Sequence, residues 1–122
     1  MIMAKILIVD DSRTSRRMLR AILEEMGHEV VAEAVNGEDG FVKYKELNPD
    51  LVTLDITMPV LDGIQALSLI KKHDPEAKAV MITAAGQRDK MIKAVKYGAA
   101  EFITKPYEKE VVEKILKEVL AL

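Results

Sequence analysis

The sequence predicts an α/β fold: a mostly parallel sheet, doubly wound, with helices on both faces. Three observations carry that prediction. Short apolar runs alternate five times with longer segments of helical period. Most of the runs are continuously apolar, as in parallel strands covered on both sides. The connections leave no spare length for barrel closure, which needs eight strands. Five βα units in succession then demand right-handed crossovers.

The first strand is expected at Lys5–Val9, and its helix follows Asp11-Ser12, with Met18, Leu19, Ile22 and Met26 at helical spacing until Gly27 stops it. The second strand, Glu29–Ala34, alternates more than the others and suits a sheet edge. A helix with Phe41, Tyr44 and Leu47 ends before Pro49. The third strand, Leu51–Leu54, leads to a helix after Asp62-Gly63 that carries Ile64, Leu67 and Ile70 and closes near Pro75. The fourth strand, Ala79–Ile82, precedes a helix from Arg88 to Tyr97 that Gly98 terminates. The fifth strand, Glu101–Ile103, is followed after Pro106 by a helix with Val111, Val112, Ile115, Leu116, Val119 and Leu120 in a wide apolar stripe.

Composition narrows the function. A chain of 122 residues suits one domain, 1–122, with a core of ordinary size. The absence of cysteine excludes disulfides, thiolate metal sites and cysteine nucleophiles. Eighteen Lys and Arg against twenty Asp and Glu, a net charge of -2, argues against a dedicated nucleic-acid-binding domain. Apolar stretches such as Ile6–Val9 are far too short to span a bilayer, and Met1–Lys5 runs into a strand pattern unlike a signal peptide. The expectation is a soluble, cytoplasmic protein.

In a doubly wound sheet the ligand site lies beyond the carboxyl ends of the strands. Neither G-x-G-x-x-G nor G-x-x-x-x-G-K-[ST] is present. What stands there instead is Asp10-Asp11 after the first strand, Asp55 after the third, Thr83 after the fourth and Lys105-Pro106 after the fifth. Three carboxylates in one pocket repel one another unless something neutralises them. Mg²⁺, which takes oxygen ligands and keeps waters and a phosphate oxygen, resolves that conflict. With the Lys105 ammonium and the Thr83 hydroxyl, the set suits a phosphoryl group. Asp55 stands alone after Leu51-Val52-Thr53-Leu54 and is the candidate nucleophile, forming an aspartyl phosphate. Asp10 and Asp11 are the candidate metal ligands.

Asp10-Asp11, Asp55, Thr83 and Lys105-Pro106, with Met58-Pro59 and Asp62-Gly63, resemble the receiver domain of two-component response regulators from Ile6 to about Leu120. The resemblance implies a flavodoxin-like sheet of order 2-1-3-4-5. It implies phosphotransfer from a sensor histidine kinase to Asp55, with Mg²⁺ held by Asp11, Asp55 and the Thr57 main-chain carbonyl and assisted by Asp10. Lys105 would bind the phosphoryl group and Thr83 would move toward it. Phe102, three positions before the lysine, stands where the family's switch has an aromatic residue. The resemblance further implies a cis Lys105–Pro106 bond, and it places Thr57 and Ala85 where the family tunes water access.

The segment Tyr44–Lys71, YKELNPDLVTLDITMPVLDGIQALSLIK, is most similar to stand-alone chemotaxis regulators of the CheY type. These bind the flagellar motor switch through the face of helix four, strand five and helix five. A phosphatase is a further expected partner, and the chain is expected to be a monomer or weak dimer. It would promote only its own phosphotransfer and dephosphorylation. A single-domain phosphorelay carrier is the alternative, and a Mg²⁺-dependent aspartyl-phosphate phosphatase is an alternative of another class.

Arg13, Arg16, Arg17 and Arg20 share one face of the first helix, opposite Met18 and Ile22. That is either a solvated face, with Arg20 placed to pair with Glu24, or, by resemblance, a docking surface for the phosphodonor. The seven methionines read as core filler, and His28 and His73 as solvent-exposed.

Overall fold

The computed structural model describes residues 3–122. Five βα units follow one another: β1 (Lys5–Val9), α1 (Arg13–Glu25), β2 (Glu29–Ala34), α2 (Gly37–Leu47), β3 (Leu51–Asp55), α3 (Gly63–His73), β4 (Ala79–Thr83), α4 (Arg88–Lys96), β5 (Glu101–Thr104) and α5 (Lys109–Leu120). All strand pairs are parallel, and the sheet order is β2-β1-β3-β4-β5, as expected.

The period-two alternation of the strands divides the core. Leu7, Val9, Val52, Leu54 and Met81 pack with Tyr44, Leu67, Ile70 and Ala94 from α2, α3 and α4. Ile6, Ile8, Val80, Ile82 and Ile103 pack with Leu19, Leu23, Val112 and Leu116 from α1 and α5.

Three strands run one residue further than their apolar runs, to Asp55, Thr83 and Thr104. Their polar side chains leave the main chain free to pair: Asp55 sits in register with Ile82, and Thr83 with Thr104. The reactive residues are thus held by the sheet ladder itself.

Several expectations need correction. Met18 is half exposed, because the buried line of α1 runs through Ser15, Leu19 and Leu23. Of the methionines, Met26, Met58 and Met81 fill the core, while Met3 joins Met18 at the surface. His28 is buried, because its Nδ1 accepts the Ala4 N–H and ties the turn after α1 to the start of β1. His73 is exposed, with its ring edge against Phe41.

The loop between β3 and α3 carries a strained turn. Leu61 N–H donates to the Pro59 carbonyl at 2.8 Å, leaving Val60 between them with φ of 68°. This is the disfavoured hand of γ-turn, in a β-branched residue.

Candidate phosphoacceptor site

Asp10 follows β1, Asp55 and Thr83 close β3 and β4, and Lys105 follows β5. Parallel register brings them together. Lys105 Nζ lies 3.0 Å from Asp55 Oδ2 and 3.1 Å from Asp10 Oδ2. Asp10, Asp11 and Asp55 each offer a carboxylate oxygen, all within 4.8 Å of one another. Asp10 and Asp55 are buried and Asp11 is exposed, so the cluster opens to solvent on one side. Thr83 is only 1% exposed, and its hydroxyl points to Thr104 Oγ1 at 3.4 Å, turned toward β5. The Lys105–Pro106 bond is cis.

Electrostatics set the two buried acids apart. Burial opposes the charge on Asp10, but the Ser12 N–H, Ser15 and Lys105 outweigh it and hold that carboxyl below its ordinary value. Burial also pushes the Asp55 carboxyl up; Lys105 opposes the rise, and the neighbouring charge of Asp10 reinforces it. Lys105 loses hydration by burial, yet the two acids raise its hold on the proton. Asp10 Oδ2 is buried without a well-formed hydrogen bond, despite the nearby ammonium. An acceptor oxygen buried in that state, beside two more carboxylates, fits a hard divalent cation.

Local sequence explains the placement of Asp55. Asp62 caps α3 by accepting the Gln65 N–H, and the Gln65 side chain accepts the Asp62 N–H in return. Gly63 then donates to the Ile56 carbonyl at 2.9 Å, and a Cβ at this position would collide with the Asp55 carbonyl oxygen. Asn36-Gly37 does more than turn the chain. Asn36 caps α2, and Gly37 N–H donates to Leu61 O at 2.9 Å, where a side chain would again collide.

The arginine face of α1 is split. Arg16 and Arg20 both bind Glu33 on β2, at 2.9 Å and 2.6 Å, and Arg16 also donates to the Asp10 carbonyl at 2.8 Å. Arg20 reaches Glu24 as well, at 3.3 Å. Arg13 and Arg17 are exposed and, with Thr14, line a shallow concavity. Arg16 therefore anchors the backbone behind the acidic cluster and is no part of a solvated face.

Thr57 N–H approaches Asp55 Oδ1 at 3.4 Å, and its hydroxyl accepts from Gln87 Nε2 at 2.7 Å. Phe102 is half-buried on β5, where it packs on the core beneath α4 and lines a concavity with Lys105, Pro106 and Val111. Sequence reading missed Ser15, a buried hydroxyl 3.1 Å from Tyr107 Oη, as well as Gln87. Ser15 does occupy an apolar position of the α1 repeat, the one signal that marks it.

A family model described as the response regulator receiver domain matches residues 6–117. The chain belongs to the response regulator receiver family. The receiver is 47% identical over 115 residues to the chemotaxis protein CheY of Thermotoga maritima, covering 94% of this chain and 96% of the relative. It is 50% identical over 119 residues to CheY of Halobacterium salinarum, covering 97% and 98%. Among solved structures it matches a chain of the CheX-CheY-BeF3-Mg+2 complex from Borrelia burgdorferi with a TM-score of 0.89 and 38% identity, covering 94% of this chain and 87% of that one. The receiver is thus similar to chemotaxis CheY proteins along nearly its whole length. No helix among the described residues is long and apolar enough to cross a membrane.

Proposed function

We propose that this receiver is a two-component phosphoacceptor switch of chemotaxis, working in the cytoplasm beside a sensor histidine kinase. The observation that carries the reading is a buried Asp55 carboxylate, 3.0 Å from Lys105, at the rim where three acids meet. Asp55 takes the phosphoryl group: its carboxylate oxygen forms the new P–O bond as the P–N bond to the donor imidazole breaks, and the imidazole leaves as the neutral ring once protonated. Asp10, Asp11, Asp55 and the Thr57 carbonyl are the groups that would hold Mg²⁺, which supplies neutralisation of the phosphoryl charge. Lys105 already faces Asp55 and keeps a fixed positive charge against the transferred group. The chain acts on its own phosphoryl group and turns over no separate substrate.

Thr83 is the moving part. Its hydroxyl now faces β5, and three phosphoryl oxygens on Asp55 offer it a stronger acceptor. The Thr83 turn would change the space available to Phe102 on the neighbouring strand. Val111 of α5 lines the concavity with Phe102, and Ile92 and Val95 of α4 are also exposed, apolar side chains suited to an output surface for a motor switch protein. A phosphatase that approaches the open side at Asp11 is a further partner.

The test is labelling of the purified protein by acetyl phosphate with Mg²⁺, read by intact mass. The parent gains one phosphoryl group and Asp55→Asn gains none. Equal labelling of Asp55→Asn at the same site would refute the assignment, and sustained turnover of small phosphomonoesters would favour a phosphatase.

A further inference from the structure

Gln87 stands just before α4, outside both the acidic cluster and the Thr83–Phe102 pair. It occupies the N-cap position, yet its side chain makes no capping bond. Its amide is committed elsewhere. Oε1 accepts the Ala84 N–H at 2.7 Å, and Nε2 donates to Thr57 Oγ1 at 2.7 Å. One side chain therefore ties the loop after β3 to the loop after β4, at the positions that continue from Asp55 and Thr83. Between the tied residues lies Gly86, with φ of 84° and open space where a side chain would be. Such a residue lets the loop pivot at no steric cost.

We propose that Gln87 is a positioning residue: a latch that holds the two loops together before phosphorylation and must release the Ala84 N–H for the phosphorylated state to form. This rests on the phosphoacceptor reading of Asp55. Ala84 follows Thr83 at the end of β4, on the rim where Asp55 closes the neighbouring β3, so its N–H is a main-chain donor that a phosphorylated Asp55 can recruit. The amide oxygen of Gln87 offers that N–H one neutral acceptor. A phosphoryl group offers three charged ones, and charge-assisted bonds are about twice as strong as neutral ones. The latch is thus strong enough to bias the resting state and weak enough to lose. Leaving α4 without a side-chain cap keeps its first turn free to shift.

The test uses beryllofluoride, a phosphoryl mimic, with Mg²⁺ on the intact protein. Gln87→Ala removes the competitor, and the mimic should bind about threefold to tenfold tighter, the net effect of a neutral hydrogen bond. Gln87→Met keeps the bulk and loses both polar atoms, so it should tighten binding equally. Thr57→Val should tighten it less, and the double variant no more than Gln87→Ala alone. A merely structural bond would lower the melting temperature of both variants without tightening mimic binding. The second readout checks that the bond exists in solution: the Ala84 amide proton resonance, in the absence of Mg²⁺ and mimic, should shift upfield in Gln87→Ala and Gln87→Met. Binding within about twofold of the parent in both variants, or an unmoved Ala84 signal, would overturn the latch. A parent protein that takes up no beryllofluoride would instead overturn the phosphoacceptor reading, and the latch with it.

Discussion

Val60 offers a measurable release of strain. It is 74% exposed, so its side chain gains little from burial, yet it holds φ at 68° in a γ-turn of the disfavoured hand. Backbone outliers of this kind cost of order 1–3 kcal/mol. Val60→Gly removes the Cβ that makes the turn costly, while the looser unfolded chain offsets about 0.4–1 kcal/mol of the gain. The net expectation is stabilisation by about 1 kcal/mol. For a chain of 122 residues, with unfolding entropy near 2.1 cal/mol/K per residue, that raises the melting temperature by about 4 °C. Val60→Ala keeps the Cβ and should melt close to the parent. Thermal unfolding followed by far-UV circular dichroism, at one pH and without phosphodonor, decides the matter. If Val60→Ala melts as high as Val60→Gly, the Cβ is not the source of strain and the reasoning fails.

Gly63→Ala should destabilise by about 1–3 kcal/mol and slow labelling by acetyl phosphate, because the new methyl group displaces the backbone of Asp55 itself. A variant that labels at the parental rate would show that Asp55 tolerates the shift. Burial holds the His28 imidazole below its ordinary value, and its Nδ1 is occupied by the Ala4 N–H. Above the unfolded value of 6.5 both states are neutral there; below it the unfolded chain takes up a proton that the folded one refuses, so stability falls with pH. Melting temperatures between pH 5 and 8 should show that acid-side slope in the parent and lose it in His28→Gln, within the limit of about 1.4 kcal/mol per pH unit. Glu33→Ala frees Arg16 and Arg20 together and should cost about 1 kcal/mol at low salt. The difference should shrink as ionic strength rises, and a loss independent of salt would assign the effect to packing.

The fold was legible because most strands announce themselves as continuous apolar runs, the second as an alternating edge, and the helices between them as longer segments of helical period. Asp10, Asp55, Thr83 and Lys105 were legible as a group because a parallel sheet sends every strand end to the same rim. What escaped the sequence was whatever depends on a partner far along the chain. His28 looked exposed because the Ala4 N–H that buries it lies 24 residues away. Arg16 looked like its neighbours on a helical wheel, which does not show Glu33 or the Asp10 carbonyl. Gln87 carries no periodicity and no motif, and only the juxtaposition of two loops gives it a role. Val60 was invisible because nothing in a valine foretells a positive φ.

Lys105 stands almost equidistant from Asp10 and Asp55, a single counterion divided between two anions. A divided counterion couples the fates of those it serves. When Asp10 finds another source of positive charge, Lys105 is free to commit to Asp55; when Lys105 turns to a new anion on Asp55, Asp10 is left short of charge. Reciprocity follows from thermodynamics, so loading either side of the rim makes the other side readier to load. The receiver thereby resists responding to only one of the two and reserves its full response for their coincidence.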